Sequence, residues 1–238
     1  LNILNLIRWK NIVMIAIMQC LIKYGLFLPF GVSTSLNTFN FFILIIATLC
    51  IASAGYIIND IYDVETDFIN KPEKIIIGKS LSEKMAYNLF IILNVIGVGL
   101  GFYLSNAIGK SELFALFVII SALLYVYASY LKQTFLIGNL VISALVALSI
   151  LLVGIFELIP SMTAQNQGIQ LAFFRILLDY AIFAFIINFI REITKDIEDI
   201  DGDYKSGMHT LPIVIGRERA SKVLIVLSFI PLLAVIYY

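Results

Sequence analysis

Charge is scarce in this chain, and so are the residues that build the commoner metal sites. Only 13% of the 238 residues are charged, against roughly 25% in soluble globular domains, which excludes an ordinary water-soluble domain with a large core. Histidine occurs once, at His209, and cysteine twice, at Cys20 and Cys50. The lone imidazole has no second to join it, and both thiols fall inside long apolar runs. Neither a disulfide framework nor a thiolate metal site is therefore available. The amino-terminal LNILNLIRWKN has no short apolar core followed by a small-residue cleavage site, so no removable signal peptide is expected. The formal net charge is zero, and without a basic excess no nucleic-acid partner is expected.

What the chain has is apolar length. Hydrophobic residues make up 61% of it and its mean hydropathy is +1.00, the composition of an integral membrane protein held in a lipid bilayer. Runs of about 20 apolar residues are needed to cross a hydrocarbon layer of about 30 Å. Seven are present, near 12–31, 40–58, 85–105, 112–131, 135–159, 171–191 and 220–238. The fold expected is all-α, a polytopic transmembrane helical bundle. The chain begins with leucine and its last apolar run reaches Tyr238 without a polar flank, so further spans are expected at the carboxyl end.

The charges that exist are sorted. Arg8, Lys10, Lys71, Lys74, Lys79, Lys84, Lys132, Arg191, Lys195, Lys205, Arg217, Arg219 and Lys222 fall on one side of the seven runs, and the opposite loops hold little more than Lys110. By the positive-inside rule that side faces the cytoplasm. The two long connections, about 59–84 and 192–219, are both on it, and function is expected there.

Each long connection opens with an acidic stretch, NDIYDVETD at 59–67 and KDIEDIDGD at 195–203. Asp60, Asp63 and Asp67 are spaced i, i+3, i+7, and Asp196, Asp199 and Asp203 repeat the spacing 136 residues later. On a helix turning about 100° per residue, each trio occupies a stripe about 60° wide. Carboxylates about 6 Å apart repel by about 2 to 3 kcal/mol per pair at an effective dielectric near 20, so a positive partner is required. All-oxygen ligands without His or Cys favour Mg2+ over zinc or copper. Magnesium held by one or two carboxylates leaves room for phosphate oxygens, and the pair of stripes reads as a diphosphate site. Lys71 and Lys74 follow the first stripe and Lys205 the second, although topology alone would also place lysines there.

The same residues resemble the UbiA superfamily of intramembrane prenyltransferases. NDIYDVETD is similar to that family's first motif, NDxxDxxxD, at Asn59, Asp60, Asp63 and Asp67, and KDIEDIDGDYKSGMHTLPIVIG to its second. Between them, LYVYASYLKQTFLIGN resembles the family's tyrosine and lysine near the end of span four and its Gly-Asn opening span five. The resemblance implies one prenyltransferase domain over 1–238, a bundle of usually nine helices, and cytoplasmic cap loops over two facing aspartate motifs. It implies that Asp60, Asp63, Asp67, Asp196, Asp199 and Asp203 hold magnesium and promote catalysis. Asn59, Lys71, Lys74, Tyr127, Lys132 and Arg8 are the implied substrate-binding residues. The implied reaction is transfer of a polyprenyl group from an isoprenyl diphosphate to a lipophilic acceptor. The carboxyl-side motif is most similar to the branch acting on geranylgeranylglyceryl phosphate in ether-lipid synthesis, ahead of aromatic acceptors of quinone or haem synthesis. The stretch NKPEKIIIGKSLS departs from the family by carrying lysines where arginines are common, and a lysine cannot fork onto two phosphate oxygens. Two other classes use membrane helices, carboxylates and a divalent ion. CDP-alcohol phosphotransferases carry an AR pair and a single motif, unlike this chain, and a cation transporter needs carboxylates near mid-membrane.

Overall fold

The computed structural model describes residues 2–237, with the side chain of Lys74 outside the described residues. Lipid offers no partner for backbone N–H and C=O groups, so apolar segments of spanning length close their hydrogen bonds internally as helices. Seven form among the described residues: α1 Trp9–Phe27, α2 Thr38–Tyr62, α3 Glu83–Ala107, α4 Phe114–Ser129, α5 Ile137–Glu157, α6 Gln167–Glu198 and α7 Arg217–Tyr237. They match the expected runs one for one. The main difference is at α6, which continues past the expected end near 191 to Glu198. Its 32 residues are about 48 Å long at 1.5 Å per residue, well beyond the hydrocarbon thickness, and its polar end carries the start of the second acidic stretch.

Local signals set the starts. The Asn37 side chain accepts the Asn40 N–H at 2.8 Å to open α2, and Ser82 accepts the Met85 N–H at 3.3 Å to open α3. Helix α1 is α-helical over Trp9–Cys20 and then winds more widely over Leu21–Phe27, where Leu28 N–H reaches five residues back to the Lys23 carbonyl at 3.0 Å.

Helix α2 is the most enclosed of the seven. Its Phe41, with Phe27, Phe117 and Phe156, belongs to the main core, all four fully buried. A second cluster, with Leu6, Ile57, Ile58, Ala86 and Ala128, fills the bundle toward the acidic end, and Ile193, Leu211 and Ala220 fasten α6 to α7.

The sequence-based stripes undergo one correction. Neither runs along an uninterrupted helix. Asp63 ends α2 and starts a short helix, Val64–Asn70, while Asp199 ends α6 and starts another, Ile200–Lys205. The two junctions have nearly the same backbone geometry, φ −92° and ψ −3° at Asp63 against φ −93° and ψ 8° at Asp199. Bonds four residues apart still cross each break, from Asp67 N–H to Asp63 O at 2.7 Å and from Asp203 N–H to Asp199 O at 3.1 Å. Each trio therefore stays together, and its last member lies in the first turn of a new helix.

Opposite the aspartates, the other end of the bundle is closed by a buried ion pair. Lys23 Nζ lies 2.6 Å from Glu157 Oε1 and 2.6 Å from the Leu36 carbonyl, and the Leu36 N–H donates to Glu157 Oε2 at 3.0 Å. The ammonium also sits 4.6 Å from the centre of the Phe41 ring. Every charge in this group is paired, which burial demands. Lys23→Ala leaves the Glu157 carboxylate uncompensated and is expected to cost about 3–5 kcal/mol, read as a lowered thermal midpoint in detergent. Pairing Lys23→Met with Glu157→Leu is expected to recover most of that loss.

Candidate active site

The site begins at the two helix breaks. The short helices beyond them lie against each other: Thr66 Oγ1 and Ser206 Oγ are 3.0 Å apart, Asn70 Nδ2 donates to the Asp199 carbonyl at 3.0 Å, and the Gly202 N–H donates to Asn70 Oδ1 at 2.9 Å. Asn70 thus clasps the second acidic stretch by its backbone. The two aspartate motifs face a common pocket lined by Asn59, Asp63, Asp67, Tyr127, Lys132, Asn139, Glu192, Lys195, Asp196, Asp199 and Asp203.

Four of the six carboxylates have partners from the chain. Arg8 Nη2 donates to Asp60 Oδ1 at 3.0 Å, with its guanidinium 4.8 Å from the Tyr56 ring centre. Lys132 Nζ bonds Asp63, which also accepts from the Asn59 amide. Lys71 Nζ reaches both oxygens of Asp199, at 2.6 and 2.8 Å, and Asn139 Nδ2 donates to Asp196 Oδ2 at 2.8 Å. Two of these partners stand on special backbone. Arg8 has left-handed φ 51° at the start of α1, an unfavourable conformation for a residue with a Cβ. Lys132 belongs to a turn packed so closely on Gly138 that a Cβ there would lie 2.7 Å from the lysine Cα.

Asp67 and Asp203 have no ion-pair partner among the described residues. Burial, with Asp63 and Asp60 adding repulsion, pushes the Asp67 carboxyl up to about 6. Burial pushes Asp203 up to about 7, with Asp196, Asp199 and Asp63 adding to it. Asp63 acts on Asp203 and Asp199 on Asp67, so the two stripes interact across the pocket.

The donor set suits magnesium. It is all oxygen, and at the raised carboxyls of Asp67 and Asp203 added positive charge relieves repulsion. Among the described residues no three carboxylates converge into a ready-made cage.

A second space adjoins the first. An apolar cavity of about 260 Å³ runs between α1, α2, α4, α5 and α6, and Asn59, Tyr127, Glu192 and Lys195 line both it and the acidic pocket. Of the residues expected from the sequence, Arg8, Asn59, Tyr127 and Lys132 come together here, and Lys71 joins through Asp199. Lys205 is exposed and lines a separate surface hollow with Asp201 and Arg217, so it does not complete the clamp. Lys74, also expected at the site, has its side chain outside the described residues. His209 is exposed, and its backbone N–H ties to the Gln133 carbonyl at 2.8 Å. Sequence reasoning did not single out Glu192, Lys195 or Asn70. Extending the second stripe one turn backward from Asp196 reaches Glu192, and that was the available signal.

A helical bundle with two aspartate motifs sharing one pocket over an apolar cavity defines a narrow class of membrane proteins. A profile of the UbiA prenyltransferase family matches residues 18–238, and the chain belongs to that family. It is similar to the digeranylgeranylglyceryl phosphate synthase of Methanosphaera stadtmanae, with 34% identity over 197 residues covering 82% of this chain and 65% of the relative. The Pyrococcus abyssi protein of that name is 36% identical over 187 residues, covering 75% and 60%, and the Sulfolobus acidocaldarius one 33% over 217, covering 90% and 70%. The chain spans 65% and 60% of the length of the first two relatives. A solved structure from work on digeranylgeranylglyceryl phosphate synthase in membranes matches with TM-score 0.62 and 24% identity, covering 98% of this chain and 77% of that one. A UbiA homologue from Archaeoglobus fulgidus, bound to DMAPP and Mg2+, matches with TM-score 0.63 and 16% identity, covering 100% and 77%. At these identities the two structures establish the shared fold.

The raised carboxyls give a pH dependence with a definite sign. A folded value of about 6 for Asp67 and about 7 for Asp203 exceeds the unfolded value near 3.9, so the native state holds more protons between them. The stabilisation is fully present below about pH 4 and is lost as pH rises through about 6 to 7. Magnesium-free protein in detergent is expected to melt at a lower temperature at pH 8 than at pH 5. Asp203→Asn is expected to flatten that slope.

Proposed function

We propose that this chain transfers a prenyl group from an isoprenyl diphosphate to the hydroxyl of geranylgeranylglyceryl phosphate, with magnesium, at the cytoplasmic face of the membrane. The observation that carries the reading is the meeting of the two aspartate motifs in one pocket at the mouth of an apolar cavity. The names of the curated relatives favour the glyceryl phosphate acceptor. The excess of lysine and arginine on loops at the aspartate end favours the cytoplasmic side.

Asp60, Asp63, Asp67, Asp196, Asp199 and Asp203 would hold magnesium, which when bound supplies positive charge against that developing on the leaving diphosphate. Lys71 and Lys132 bind the diphosphate as point charges, moving between carboxylate and phosphate oxygens. Lys74 joins them in this reading, and Arg8 holds Asp60 in place. Asn59 and Tyr127 line both spaces, so they flank the point where the prenyl carbon parts from diphosphate and meets the acceptor oxygen. The apolar walls exclude the water that would capture the allylic cation.

The experiment uses purified protein in detergent with magnesium and labelled geranylgeranyl diphosphate, offered geranylgeranylglyceryl phosphate or 4-hydroxybenzoate. Magnesium-dependent transfer to the glyceryl phosphate is expected. Transfer to the aromatic acid instead would change the acceptor, and no consumption of donor by folded protein would remove the reading. Asp63→Asn is expected to lower turnover by about 100-fold or more without unfolding the protein. Lys132→Ala is expected to raise KM for the donor by about tenfold. An unchanged KM would return that lysine to a topological role.

A further inference from the structure

The depth of the apolar cavity can be measured along its helices. Its mouth lies at Asn59 and Tyr127 beside the aspartates, and its lining ends at Thr48, Phe117, Ser149 and Leu152. From Asn59 to Thr48 is 11 residues along α2, about 16 Å at 1.5 Å per residue. Phe117 is fully buried, its ring is edge-on to Phe156 at 5.5 Å, and it lies so close to Gly101 of α3 that a Cβ there would come within 2.4 Å of it. The ring is held on the sides of Gly101 and Phe156 and faces the cavity on the other.

Behind Thr48 and Ser149 stands Gln19 of α1, also fully buried. Its Nε2 donates to Thr48 Oγ1 at 3.3 Å and to the Ser149 carbonyl at 3.2 Å, while its Oε1 has no partner among the described residues. An amide held in the membrane interior with one unpaired acceptor is costly and points to a task. Its bonds tie α1, α2 and α5 together across the bottom of the cavity.

We infer that Phe117, with Thr48 and Ser149 braced by Gln19, is the stop that sets the longest donor tail this protein accepts. An isoprene unit places four chain carbons end to end, about 5 Å when extended. A depth of about 16 Å holds three units, with the first unit of a four-unit donor among the aspartates at the mouth. Farnesyl and geranylgeranyl tails fit, and the next longer tail does not. The inference rests on the proposed transfer reaction and adds to it the residues that measure the donor.

The test uses the purified protein in nanodiscs with magnesium and one acceptor at constant concentration. Geranyl, farnesyl, geranylgeranyl and geranylfarnesyl diphosphates are compared by kcat/KM. The wild type is expected to lose about tenfold or more from geranylgeranyl to geranylfarnesyl. Phe117→Ala is expected to raise the ratio of the longer to the shorter donor by about tenfold, and Gln19→Met, of similar length without the bonds, by a smaller factor. Ala52→Phe, which adds bulk to the cavity wall, is expected to shift preference toward shorter donors and carries the test if Phe117→Ala does not fold. If the wild type transfers geranylgeranyl but no variant changes the length ratio, the stop lies elsewhere and only this inference falls. If the wild type consumes no donor, the transfer reading falls with it. A Gln19→Met protein that is less stable with an unchanged ratio removes the amide bridge from the stop.

Discussion

Compensation of negative charge organises the acidic end of this molecule. Six aspartates gather where two helices leave the bilayer, and their mutual repulsion has to be offset for the bundle to close. The chain supplies Arg8, Lys71, Lys132 and the Asn139 amide to four of them. It leaves Asp67 and Asp203 without an ion pair, and burial with the neighbouring carboxylates raises both carboxyls, to about 6 and about 7. Positions left short of positive charge are those where a divalent ion gains most, so the arrangement that limits stability also prepares the site.

The far end solves a similar problem differently. Lys23 and Glu157 are both buried, and each finds its counter-charge together with backbone groups of residue 36. Nothing there is left over to recruit a ligand. This contrast separates a self-contained ion pair from a cluster with carboxyls left over, and it weighs against an acidic pathway through the bundle, since Glu157 is neutralised where it stands.

Much of this was legible in the sequence because membrane insertion imposes simple rules. Seven apolar runs became seven helices, and the repeated aspartate spacing did bring two matching stretches to one pocket. The helix breaks at Asp63 and Asp199 were not legible, since neither proline nor glycine marks them and DIYDVETD reads as continuous helix. Glu192 and Lys195 were obscured because a charge near the end of a span satisfies topology as well as chemistry. Gln19 was hidden for the opposite reason. A single amide in an apolar run carries no spacing pattern, and its importance depends on Thr48 and on the Ser149 backbone, which only packing brings near.

The polar ties of this bundle join distant parts of the chain: Gln19 to residue 149, Lys23 to Glu157, Thr66 to Ser206, Asn70 and Lys71 to Asp199. Each connects a group made early in synthesis to one made more than 120 residues later. A nascent chain that has inserted only its first four helices therefore holds, within the membrane, an ammonium without its counter-charge and an amide short of one of its bonds, and half of an acidic site at its edge. Those groups wait on α5 and α6 for their partners. The order of translation makes closure of the bundle and assembly of the acidic pocket one late event.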